Sequence, residues 1–116
     1  MKAAKSIEQT MRVVVGMLAR GEYSELERLS DAMRLRASEI EASVRGYGSR
    51  IVMPPEAAFS GIDVVEIRGA APPAYSVRFR LHTLDEGPSD LELQATFRER
   101  AADELMGVEL DNIIVA

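Results

Sequence analysis

The chain holds one histidine, His82, the only side chain in it whose unperturbed pKa lies near neutrality. To act as a general base it needs a pocket and an orienting carboxylate, and Glu92 or Asp90 is the nearest candidate in the strand that follows. Four more carboxylates, Asp63, Glu66, Glu109 and Asp111, stand on stretches that read as strands. Paired on neighbouring strands, they could share a proton or hold a hard cation. Arg78, Arg80 and Arg98 alternate through the same stretches, however, and a ladder of mixed sign reads first as a solvated or contact surface. The sequence has no cysteine, no phosphate-binding glycine loop and no nucleophile elbow. We therefore assign no catalytic residue, no cofactor and no metal ligand.

The elements that must position these residues lie mostly in the last forty positions. Tyr75, Val77, Phe79 and Leu81 alternate with Ser76, Arg78, Arg80 and His82, the period of a half-buried strand. Asp85 to Asp90 contains Gly87 and Pro88 and is expected to turn the chain. The alternation resumes with Leu91, Leu93, Ala95 and Phe97 inward and Glu92, Gln94, Thr96 and Arg98 outward, completing a hairpin. Pairing Leu81 with Leu93 sets His82 opposite Glu92; a register shifted by two residues keeps every side chain on the same face. In the third strand Met106, Val108 and Leu110 share one parity and Ile113 and Val115 the other, which predicts a β-bulge near Asp111-Asn112.

Upstream, Ile7, Met11, Val14, Val15 and Leu18 form an apolar stripe of helical period that ends before Gly21. Ser24 with Glu27, and Ser38 with Glu41, have the spacing of capping boxes and predict two short helices, the second carrying Ile40, Val44 and Tyr47 on one face. Asp31 to Ala37 reads ambiguously. Pro54-Pro55 stops regular structure, Ala57 to Phe59 is expected to plug one end of the core, and Ile62 to Arg68 is a short strand. Helices followed by strands give an α+β fold: an N-terminal helical layer over residues 1–50 packed on a curved, mainly antiparallel sheet of about four strands over 62–115. Residues 1–116 are expected to form one domain.

Net charge is −5, with nine Lys and Arg against seven Asp and Glu in residues 1–50, and five against twelve in residues 51–116. An acidic balance of this kind disfavours nucleic acid, whose phosphates call for clustered cations. The longest apolar run, Val13 to Ala19, is far short of a membrane span, and with no cysteine the expected location is the cytoplasm.

The stretches Gly21-Glu22-Tyr23, Tyr47-Gly48, Pro54-Pro55, Asp63-Val64, Tyr75-Ser76-Val77, Glu86 to Leu91 and Val108 to Ile113 resemble a family of small uncharacterised bacterial proteins, a domain of unknown function, from about Gly21 onward. The order of elements also resembles the cystatin-like, nuclear-transport-factor-like α+β cone. This sequence departs from the family's pattern at His82, where a tryptophan is expected, and at Pro88, where a basic residue is expected. The resemblance carries no activity, and the cone hosts enzymes and binding domains alike.

The expected function is a non-enzymatic binding or interaction module. Its contact face would comprise Arg78, Arg80, His82, Glu92, Gln94, Arg98, Glu109 and Asp111 and would meet a second copy of the chain or another protein. An inhibitor of the immunity type, steered by the acidic half to a basic partner, is a special case. The alternative is a pocket between the first helix and the sheet, with Tyr47, Tyr75 and Phe79 in its lining, suited to a small apolar ligand or, less directly, to an enzyme.

Overall fold

A computed structural model describes residues 2–30, 34–100 and 105–115. Helix α1 (Lys2–Arg20) buries the expected stripe: Ile7, Met11, Val14, Val15 and Leu18 are each almost wholly covered. It ends in a Schellman turn, in which Glu22 N–H donates to Met17 O and Gly21 N–H to Leu18 O. Gly21 sits at φ +70°, a conformation in which a Cβ is strained. Arg12 of α1 hydrogen-bonds Glu56 and lies 5.0 Å above the ring of Phe59, clamping the 3₁₀ turn Glu56–Gly61 to the helix. Phe59 is buried, as expected of a plug.

The short helices α2 (Tyr23–Leu29) and α3 (Ala37–Tyr47) are present, but neither expected capping box caps them. Ser24 falls inside α2, whose N-cap is Glu22. Glu27, expected to close back on Ser24, instead accepts the N–H of Ala37 at 2.6 Å, ten residues on, and so caps the start of α3. At α3 only half of a box forms: the backbone N–H of Arg36 donates to Glu39 Oε1 at 2.9 Å, two residues before the expected pair Ser38 and Glu41. A packed neighbour that reaches an orphan amide first outcompetes the local pattern. Ile40 and Val44 are buried and Tyr47 is half-buried, and α3 stops at Gly48 in the left-handed conformation. Of the ambiguous stretch, residues 31–33 lie outside the described residues.

Five strands form one curled antiparallel sheet: β1 (Ile51–Val52), β2 (Asp63–Glu66), β3 (Ala74–Thr83), β4 (Gly87–Arg98) and β5 (Gly107–Val115), in the order β1-β3-β4-β5, with β2 also on β3. The two-residue β1 adds to the expected four; it is too short to show alternation. β2 is shorter than expected, and all four of its residues are exposed.

The hairpin adopts the shifted register, with Phe79 opposite Leu93 and Arg80 opposite Glu92, so His82 faces Pro88 rather than Glu92. Only residues 84–86 turn the chain; Pro88 to Asp90 already belong to β4. An irregularity between Arg80 and His82 absorbs the difference. Buried Ser89 fills it, donating to Leu81 O at 2.8 Å and accepting Leu91 N–H at 3.1 Å. In β5 the expected bulge is found at Asp111: Leu110 opposes Ala95, Asn112 opposes Gln94, and the extra residue returns Ile113 to the buried face.

The inner face of the sheet and α1 share one core, containing Val77, Phe79, Leu81, Leu91, Leu93, Phe97, Val108 and Leu110. A long-range tie joins helix and sheet within it: buried Thr10 accepts the N–H of Met106 at 2.9 Å and donates to Ser6 O at 2.7 Å.

Candidate functional site

Alternation along β3, β4 and β5 sends every second side chain to the face away from α1, and strand pairing then sets these residues in rows. One row runs Asp63, Arg78, Gln94, Asn112; the next Val65, Ser76, Thr96, Glu109; a third Arg80, Glu92, Ile114. The eight residues expected on a contact face are thus brought together on one surface, though not with the partners expected for each.

His82 lies at one end of the face, between Val52 of β1 and Pro88 of β4. Its side chain makes no hydrogen bond or ion pair among the described residues, so neither Glu92 nor Asp90 orients it as a base. His82 and Pro88, the two positions where the resemblance leads one to expect a tryptophan and a basic residue, oppose one another.

The four carboxylates separate into two pairs. Asp63 and Glu66 lie on β2 opposite Arg78 and Tyr75, while Glu109 and Asp111 lie on β5, with β3 and β4 between. The β5 pair is held by cations: Arg34 Nε is 2.7 Å from Asp111 Oδ1 and 3.7 Å from Glu109 Oε1, and Arg98 approaches Glu109 Oε2 at 3.6 Å. Thr96 donates to Asp111 Oδ2 at 2.9 Å. Oδ1 is buried and, among the described residues, has no directed hydrogen bond and is met by the charge of Arg34. Among the described residues no group of three or more His, Asp or Glu side chains is placed to hold a metal ion.

Arg34 belongs to this site and was missed in the sequence. It has φ +75°, unusual for a residue with a Cβ, and its backbone bridges to Leu110 at the outer edge of β5. No periodicity marks it, because it lies in a non-helical connection whose position is fixed by the sheet.

Tyr47, Tyr75 and Phe79 are each committed to a different neighbour. Phe79 is buried and stacks on Phe59 with centroids 5.4 Å apart and ring planes within 5°. Tyr47 donates to Glu86 Oε1 at 2.6 Å and accepts the N–H of Asp90 at 3.1 Å, fastening the acidic turn to the end of α3. Tyr75 donates to Glu99 Oε2 at 2.8 Å. That hydrogen bond, then burial, then the charges of Glu99 and Glu66 push its pKa up from 10.0 to about 12. Among the described residues no helix is long and apolar enough to cross a membrane.

No curated protein and no solved structure matches the chain. A family model described as a domain of unknown function, DUF7668, matches residues 15–116, which takes in the last turns of α1, both short helices and the whole sheet. That span exceeds half of the sequence and opens six residues ahead of the point from which the motifs carried the resemblance. The chain belongs to the DUF7668 family of domains of unknown function.

Proposed function

We propose that the chain is a binding module that self-associates through the outer face of its sheet. The pairing of Arg80 with Glu92 carries the reading. The two are direct cross-strand neighbours, so a two-fold axis running between β3 and β4 sets each against its opposite on the second copy. Arg80 can reach such a contact: its side chain is 63% exposed, and Nη1 donates to Ser89 O at 3.3 Å and lies 3.9 Å from Asp90. Around this pair the face alternates in sign without a carboxylate cluster, and Val65 and Ile114 add exposed apolar area at its margins. On this reading the module acts in the cytoplasm.

Sedimentation of the wild-type chain is expected to give twice 12.8 kDa. Arg80→Glu should sediment as a monomer and lose no more than about 1 kcal/mol of stability, the cost of setting a second carboxylate opposite Glu92 on an exposed face. Adding Glu92→Arg to it should restore the dimer. A wild-type monomer, or a dimer indifferent to both charges, would sink the proposal.

A further inference from the structure

We propose a ligand site away from the sheet face, a cleft that takes a small organic acid with an apolar body. The cleft has a volume of about 440 Å³, within the range of small-molecule sites, and opens where the C-terminal ends of α1 and α3 meet β1. Buried Leu18, Val44 and Ile51 supply apolar lining, and the exposed Arg20, Arg45 and Arg50 also border the cleft. No acidic side chain is part of the lining, in a chain whose net charge is −5. A cation therefore finds no carboxylate there, and an anion finds three arginines along the border.

The arginines are not equivalent. Arg20 and Arg45 occupy the last turns of their helices, where a cation complements the exposed carbonyls. Each also has a carboxylate of its own outside the cleft: Glu22 at 3.1 Å from Arg20 and Glu41 at 2.5 Å from Arg45. Arg50 follows α3 in no helix, and its side chain has no ion pair or hydrogen bond among the described residues. It is the donor left over, and its planar fork matches a carboxylate in bidentate fashion. Apolar lining beside a fork of this kind selects a carboxylate joined to a hydrocarbon over a bare inorganic anion.

The test is an amide ¹H–¹⁵N titration of the full chain with octanoate, with 1-octanol and inorganic phosphate as parallel probes. Octanoate is expected to move the Gly21, Gly48 and Arg50 resonances along saturable curves, and the other two probes are expected to bind more weakly. Arg50→Gln should weaken octanoate by about tenfold, since the amide keeps at most one of the fork's two hydrogen bonds, while leaving the remaining spectrum in place. Arg45→Gln, changed in the last turn of α3, should weaken it as well. Three results would overturn the site: unsaturable octanoate shifts, octanol or phosphate binding as tightly as octanoate, or an affinity unchanged in both variants.

Discussion

Thr10→Val keeps the shape of a buried side chain and removes one hydroxyl. In the wild type that hydroxyl is 2.9 Å from the amide nitrogen of Met106, ninety-six residues away, and both residues are buried. Valine fits the space without a cavity, so the cost is electrostatic: an amide proton just ahead of β5 loses the hydroxyl that accepts it. A buried donor left unpaired costs about 1–3 kcal/mol. The bond to Ser6 O is a smaller loss, since that carbonyl also belongs to the helix ladder. The added methyl recovers part of the cost through burial, leaving a net of about 1–2 kcal/mol. For a chain of this length that lowers Tm by roughly 4–8 °C. Urea unfolding gives the free energy, and hydrogen exchange at the Met106 amide gives the location. Thr10→Ser, which keeps the hydroxyl, should preserve Met106 protection far better. A Thr10→Val protein as stable as wild type, or one whose Met106 amide exchanges no faster, would refute the reasoning.

Two further perturbations test the polar contacts. The folded-state pKa of Tyr75 lies above its unfolded value near 10, so the stability it contributes is complete below pH 10 and is lost as pH rises from 10 to about 12. A phenolate absorbance titration should show a late step near 12 that Tyr75→Phe removes and Glu99→Gln moves down; a late step that survives Tyr75→Phe belongs to another group. Glu27→Ala should cost about 1 kcal/mol by uncapping α3, whereas Ser24→Ala, on an exposed side chain inside α2, should stay within about 0.5 kcal/mol. Thermal melts that reverse this order would return the cap to Ser24.

What could be read in the sequence followed from periods that a few neighbouring residues impose on one another. The α1 stripe, the alternation of β3 and β4, and the parity change between Leu110 and Ile113 each need only local geometry, and each appears as expected. Register was not legible, because a slip of two residues exchanges no faces; Ser89 inside the β4 irregularity and Tyr47 on the amide of Asp90 supply contacts specific to the observed pairing. The capping boxes misled for a related reason. Ser24 and Glu27 fit the pattern, but the fold brings Ala37 within reach of Glu27. At the candidate site the eight face residues follow from alternation, while Arg34, in a connection without period, gave no signal before the structure placed it beside Asp111.

The brevity and full exposure of β2 bear on how copies of this chain can assemble. An outer strand with free amides and carbonyls, carrying Val64 and Val65, is a template for open-ended strand addition and so for fibres. Here the template is only four residues long and begins and ends with an acid, Asp63 and Glu66, so each neighbour added along that edge brings two negative charges to meet two more. Growth along the edge is thereby discouraged, which leaves the sheet face, the surface of the proposed closed dimer, as the less obstructed route of association.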